Sequence, residues 1–239
     1  MADLRRLGVT PGDVLFVHSS YKSLGPVEGG AATVIGALEE ALGPAGTLLM
    51  PTFSLWEREQ DARCRTWEIT TTKSSVGYLS EFCRGLPGSL RSDHYSHAVV
   101  ARGAEAAAFV LEHRERADRH SPWDRAPYGT TYSDRSPMLK IYAHPRGRVL
   151  MLGVDYHSST FCHVVEALFW AQRRAANPQA DYTWITREWV GHWWDGLGRL
   201  ARGRVAQADC RLFGARDYVD RLLAAITAEP RRFAKWFTT

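Results

Sequence analysis

The segment that sets the fold reads DVLFVHSSYKSLGPVEGGAATVIGALEEALGPAGTLLMP, from Asp13 to Pro51. Pro11-Gly12 introduces a short apolar run, Val14-Leu15-Phe16-Val17, whose continuity suits a strand buried on both faces. The run ends in His18-Ser19-Ser20 and passes into a glycine- and proline-bearing loop, Leu24 to Gly30. Between Ala31 and Leu42, the residues Val34, Ile35, Leu38, Ala41 and Leu42 recur at helical spacing on one face, and Gly43-Pro44 stops the helix. Thr47-Leu48-Leu49-Met50 is a second apolar run, halted by Pro51. Strand, helix and strand in this order form a βαβ unit, so the pattern predicts two parallel, neighbouring strands.

Working outward, residues 54–73 are polar and mixed and read as an excursion loop. The pattern predicts a helix over 76–84, a short strand over 98–101, a helix over 104–119 and a loop over 122–129. Val149 to Val154 is a third buried strand, and Ser158-Ser159-Thr160 offers N-caps to a helix from Phe161 to Ala175. Asn177-Pro178 ends that helix. Residues 181–195 hold four tryptophans, Trp184, Trp189, Trp193 and Trp194, and a last helix is predicted over 216–227, followed by a frayed basic tail. With no repeat and no linker, one α/β domain over 1–239 is expected.

The 239 residues are 45% hydrophobic and 23% charged, which excludes disorder, collagen and coiled coil. No apolar run approaches the ~20 residues of a membrane span, and no signal-peptide core follows Arg5-Arg6. Cys64, Cys83, Cys162 and Cys210 lack metal-ligand spacing and read as reduced thiols of a cytoplasmic protein. The net charge of +4 suits an anionic ligand. The basic residues are too dispersed for nucleic acid, so neither nucleic acid nor membrane is an expected partner.

Two segments can carry chemistry. The loop after the first strand lies at a strand's carboxyl end and before a helix N-terminus, where open α/β sheets bind ligands. Amides around Gly29 to Thr33 could face an anion, yet the spacing is neither a Rossmann fingerprint nor a P-loop, and a plain glycine-rich turn fits equally well. The second is DYHSSTFCHVVE, Asp155 to Glu166, after the third buried strand. His163 and Glu166 are three apart on a helix, and helical side chains lean toward the N-terminus, so Glu166 can reach back to His163. A carboxylate on one imidazole nitrogen leaves the other as a base; an inconsequential surface pair is the alternative reading. Cys162 reads as core, not as half of a Cys–His dyad. His94 and His97 have HxxH spacing without a third ligand at a familiar distance, so no metal is expected. The tryptophan cluster suits either an aromatic acceptor wall or core packing.

These residues also fit a known pattern. VHSSYKSLGPVEGGAATVIGALEEALGPAGTLLMPTFS, Val17 to Ser54, resembles the N-terminal signature of the aminoglycoside 3-N-acetyltransferase family. In order, Val76-Gly77 with Glu81-Phe82 and Leu86-Pro87-Gly88, then Arg91 to His97, Ser121-Pro122-Trp123, Pro127-Tyr128-Gly129, Leu152-Gly153-Val154, and Thr160 with His163-Val164-Val165-Glu166, resemble later family segments. The likeness covers roughly residues 5–175, and 176–239 is divergent, with the stretch before the last helix looking short. The resemblance implies a three-layer α/β/α sandwich with a largely parallel central sheet. It implies acetyl transfer from acetyl-CoA to an amine, with His163 as general base and Glu166 as its partner. It further implies a CoA site at His18, Ser19, Ser20, Lys22, Ser23, Leu24, Gly25 and Val27 with Thr72, Ser74 and His97, and an acceptor site at Asp155, Tyr156 and Thr160. A homodimer is the assembly entertained.

An oxyanion on the thioester carbonyl would need a donor, for which Ser19, Ser20 and Thr160 are candidates, while Lys22 and Arg91 could meet CoA phosphates. The sequence departs from the family at His94-Tyr95, Ala98, Ser159-Thr160 and Thr72-Lys73-Ser74, where the family has His-Pro, Ser, Asn-Thr and a proline-bearing turn. Acids between 176 and 215 are only Asp181, Glu188, Asp195 and Asp209, a thin lining for a polycation. A smaller or more aromatic amine is therefore expected on an equal footing with an aminoglycoside. A thioesterase and a non-catalytic CoA- or drug-binding protein are the alternatives.

Overall fold

The computed structural model describes residues 1–115 and 121–235. In chain order its helices are α1 (Ala2–Leu7), α2 (Gly30–Leu42), α3 (Gln60–Thr66), α4 (Tyr78–Gly85), α5 (Ala106–Val110), α6 (Pro137–Ala143), α7 (Phe161–Ala176), α8 (Arg187–Gly196), α9 (Ala215–Ala228) and α10 (Pro230–Phe233). Its strands are β1 (Val14–Ser19), β2 (Thr47–Pro51), β3 (Leu90–Arg91), β4 (Val99–Gly103), β5 (Gly147–Leu152), β6 (Trp184–Ile185), β7 (Ala201–Val205), β8 (Ala208–Gly214) and β9 (Ala234–Lys235).

β1 lies at the middle of a seven-stranded sheet of order β3-β4-β2-β1-β5-β8-β7. It pairs in parallel with β2, Val14 opposite Thr47, and with β5, Val14 opposite Gly147. Alternation along β1 sends Val14 and Phe16 to one apolar layer and Leu15 and Val17 to the other. α5, α6, α7 and α9 cover the first face, and α1, α2 and α4 the second. The result is the expected α/β/α sandwich.

The sheet is mixed. Its three central strands are parallel, whereas the β2–β4, β3–β4, β5–β8 and β7–β8 pairs are antiparallel. The β7–β8 connection explains one edge: only Ala206 and Gln207 separate the strands, and a link that short permits antiparallel pairing alone. β6 and β9 form a separate two-stranded ribbon.

Three local expectations change. The polar excursion of 54–73 contains α3. The helix expected over 104–119 is reduced to Ala106–Val110; Glu112 has φ 69°, and the chain turns there to bury His113 against Ser92 and Thr131. Residues 116–119 of that expectation lie outside the described ones. The basic tail expected to fray after the 216–227 helix instead carries α10 and, through β9, pairs with β6, while the tryptophan-rich stretch spans β6 and α8. Among the described residues no helix is long and apolar enough to cross a membrane.

Candidate active site

Parallel pairing of β1 with β5 sets their carboxyl ends side by side, His18 opposite Met151 and Ser19 opposite Leu152. The two loops singled out separately in the sequence thus meet. Ser20 N donates to the Leu152 carbonyl, 2.9 Å, and Ser23 Oγ to the Gly153 carbonyl, 3.0 Å. Gly153 has φ +67°, and a Cβ there would stand 2.5 Å from Ser23 Cβ, so this approach requires glycine. Across the junction, Thr160 N donates to His18 Nε2 at 3.3 Å.

α7 carries the pair predicted by helical spacing. Glu166 Oε2 lies 2.5 Å from His163 Nδ1 and accepts the Tyr182 hydroxyl at 3.3 Å, while Oε1 accepts Ile185 N–H at 2.6 Å. Glu166 is 1% exposed. A carboxylate this deep needs such donors, because a buried charge without partners is severely destabilising. On the other side of the ring, Arg187 Nη2 lies 2.5 Å from Nε2, and Arg187 Nη1 donates to the His157 carbonyl at 2.6 Å. A guanidinium can only donate, so Nε2 must carry its lone pair and Nδ1 the proton. Arg187 begins α8 and was not a sequence candidate.

Beside His163 opens a cavity of about 530 Å³. His18, Ser19, His97, Trp123 and Thr160 border it, with Arg63 from α3 and Arg187. The Trp123 ring centre is 4.9 Å from that of His163 and 5.3 Å from that of Trp184. Burial first, then the Arg187 charge, lowers the His18 pKa to about 3. Burial likewise holds His97 well below its ordinary value. Two of the residues that border the cavity hold a buried polar atom without a hydrogen-bond partner, Ser19 Oγ and Arg63 Nε. A second cavity of about 430 Å³ shares His157, Trp184 and Arg187 with the first and adds Glu166, Glu188 and Lys235.

The sequence profile described as aminoglycoside 3-N-acetyltransferase matches residues 16–227. The chain belongs to the aminoglycoside 3-N-acetyltransferase family. Aminoglycoside N(3)-acetyltransferase III of Serratia marcescens is 35% identical over 184 residues, covering 70% of this chain and 62% of that protein. Aminoglycoside N(3)-acetyltransferase IX of Micromonospora chalcea is 33% identical over 274 aligned positions, covering 96% and 92%. A mutant of aminoglycoside acetyltransferase AAC(3)-IVa, crystallised in complex with a gentamicin, matches with a TM-score of 0.76 at 27% identity, covering 97% of this chain and 88% of that one. The chain is accordingly an acyltransferase-family protein, as its motifs implied.

Within this acetyltransferase fold the expected site residues divide. His18, Ser19, His97, Thr160 and His163 come together around the larger cavity, and Glu166 supports them from behind. Ser20 Oγ lies 2.9 Å from Ser23 Oγ, within hydrogen-bond distance, and Lys22 is exposed. The Leu24 side chain is in the core, while Val27 packs half-buried against it. Gly25, at φ +72°, lies against Gln207. Thr72 Oγ1 accepts Glu68 N–H and Ser74 N–H donates to Glu81, both at 2.8 Å and neither at the cavity. Asp155 caps a 3-10 turn through His157 N–H, 3.0 Å, and the buried Tyr156 directs its hydroxyl to Asp195, 2.7 Å.

Arg91 is not free to meet a phosphate. It donates to the carbonyls of Ile69, Thr72 and Thr52 and to Thr52 Oγ1, and lies 4.4 Å from the centre of the Trp67 ring. Of the four tryptophans, Trp184 borders the cavity, whereas Trp189, Trp193 and Trp194 pack around Phe233, Phe213 and Tyr218. Cys162, His163 and Glu166 bring three potential metal-donor atoms within 4.8 Å of one another. Here Cys162 Sγ donates to the Ser159 carbonyl at 3.0 Å, and burial pushes this thiol up to about 12. His94 is stacked on His113 at 4.6 Å inside a cluster with Ser96 and Thr131. Sequence reading missed Arg63 and Arg187. Nothing in a polar loop or a tryptophan-rich helix distinguishes one arginine from its neighbours.

Proposed function

We propose that this protein transfers the acetyl group of acetyl-CoA to an amino group of an aminoglycoside or a related amine-bearing small molecule. The observation that carries the reading is the buried Glu166–His163 pair, whose second ring nitrogen faces a cavity at the carboxyl ends of β1 and β5. An alkyl amine is largely protonated at neutral pH and cannot attack a thioester until it loses a proton. His163 Nε2 takes that proton, and Glu166 holds the ring in the competent tautomer and stabilises the imidazolium. The neutral amine nitrogen then bonds to the acetyl carbon and the carbon–sulfur bond breaks; the CoA thiolate takes the proton held by His163, and the second proton that nitrogen loses on becoming an amide passes to solvent. Positioned base catalysis of this kind contributes ~10²–10⁴-fold. Ser19 Oγ, buried and unpartnered at the same cavity, is the hydroxyl we assign to the developing oxyanion.

The test is CoA thiol release from acetyl-CoA with aminoglycosides, amino sugars, simple amines and a no-amine control. Amine-dependent release that falls ~10²–10⁴-fold in His163→Ala, with CoA affinity retained, is the expected result. Equal release without amine would instead make the protein a thioesterase. Unchanged turnover in His163→Ala would remove the base assignment.

A further inference from the structure

The cavity beside His163 is electrostatically unlike one suited to a polycation. Among the described residues bordering it, Arg63 and Arg187 are the permanently charged ones, His18, His97, His157 and His163 are the remaining titratable ones, and no carboxylate is present. Glu166 is occupied by His163, Tyr182 and Ile185. The neighbouring cavity is the one that Glu166 and Glu188 border, together with Lys235. Arg63 is 8% exposed; it gives Nη1 to the Ser54 carbonyl at 3.0 Å, and its Nε is unpartnered. Arg187 gives its guanidinium to the His157 carbonyl and to a neutral imidazole. Among the described residues neither arginine is in an ion pair. Phe53, Trp123 and Trp184 add apolar wall, which strengthens charge interactions inside the cavity.

We propose that the acceptor is an amine that also carries an anionic group, a carboxylate or phosphate, and that Arg187 is the residue that selects it. This rests on the acetyl-transfer reading and names its acceptor class. A guanidinium binds a carboxylate or phosphate through paired, charge-assisted hydrogen bonds, stronger than one bond to a neutral ring nitrogen. An arriving anion therefore draws Arg187 Nη2 away from His163 Nε2. The uncovered lone pair then takes the proton of the acceptor's ammonium, so the acceptor itself unmasks the base. An amine without an anionic group lacks this lever, and a polycation meets Arg63 and Arg187 as like charges.

The experiment uses the full chain with acetyl-CoA and matched acceptors: phenylalanine against phenethylamine, glucosamine 6-phosphate against glucosamine, and gentamicin as the polycation. In the native protein kcat/KM is expected to favour the anionic member of at least one pair by about 10- to 100-fold. In Arg187→Met that ratio falls toward one, and in Arg187→Lys it is intermediate. Because each ratio compares two substrates on one protein, a general loss of folded material cancels. A native preference for the member without the anionic group or for gentamicin, or a ratio unmoved in Arg187→Met, overturns the proposal.

Calorimetric binding of the same compounds to the protein–CoA complex separates this inference from the activity it rests on. Arg187-dependent preference for the anionic partner, with no acetyl transfer to any amine, would retain the anion site and sink the transferase reading. Binding without such a preference, or no binding of either anionic compound, would sink the anion site itself.

Discussion

Arg187 Nη2 lies 2.5 Å from His163 Nε2, the nitrogen that must be free for the ring to act as a base. Glu166 holds the opposite nitrogen at the same distance. The imidazole is thus gripped between an acceptor and a donor, and both contacts impose one tautomer. For the base proposed above, the arrangement favours catalysis through the ring's orientation and opposes it through access, so the guanidinium would have to move before proton transfer.

Glu166→Gln tests the orientation. The amide is close in volume, and its oxygen can still accept Ile185 N–H, now at 2.6 Å from Oε1. Its NH₂ then faces Nδ1 and forces that nitrogen to accept, moving the ring proton to Nε2. Turnover is expected to fall ~10²–10⁴-fold. The melting temperature should shift far less than in Glu166→Ala, which leaves the Ile185 amide without its acceptor at a cost of ~1–3 kcal/mol. Steady-state rates and thermal melts on both variants decide it, and a fully active Gln variant would refute the tautomer argument.

Gly191 seats α8, and with it Arg187. A Cβ at 191 would lie 2.4 Å from Tyr156 Cδ2, on a ring tied down by the 2.7 Å bond from its hydroxyl to Asp195. Gly191→Ala gains ~1 kcal/mol of helix propensity but overpacks a fixed ring, at a cost of ~1–3 kcal/mol. Net destabilisation with a raised KM for the acceptor is expected from urea denaturation and kinetics. A stabilised variant with unaltered KM would show that α8 shifts freely.

Burial keeps His18, His94, His97 and His113 neutral, lowering His18 to about 3 and His113 to about 4, with His94 and His97 well below their ordinary value. The unfolded chain takes up these protons near pH 6.5. The stability they contribute is therefore present above about pH 6.5 and is lost as pH falls toward 4 and 3. Each contributes a slope of ~1.4 kcal/mol per pH unit within its window. Urea midpoints between pH 7.5 and 5 should fall steeply, and His113→Gln should remove about one proton's share of the slope. A flat profile would mean these rings are protonated in the folded protein.

Arg91→Lys tests the excursion loop that carries Arg63. Arg91 holds Ile69, Thr72 and Thr52 in a single fork, which three ammonium donors on a flexible stem cannot reproduce. Hydrogen exchange across residues 54–75 should accelerate by ~10-fold or more, equivalent to ~1.4 kcal/mol of lost local stability. Unchanged exchange would mean that the loop is held without Arg91.

The strand–helix–strand unit at 14–51 was legible because its apolar spacing is local, and the pairing of His163 with Glu166 because three positions on one helix are always neighbours. The mixed outer sheet was not legible in the same way, since the periodicity of a strand is the same whichever way its neighbour runs. Nor were the ends of the 104–119 helix, where burial of His113 overrode helical propensity. The meeting of Ser19, Arg63, Trp123 and Arg187 around one imidazole lies further from reach. These residues come from four separate segments, and their convergence depends on how helices dock on the sheet. Sequence chemistry alone could supply the imidazole and its carboxylate; the charge, width and blocked state of the space in front of that imidazole exist only once long-range packing has closed it.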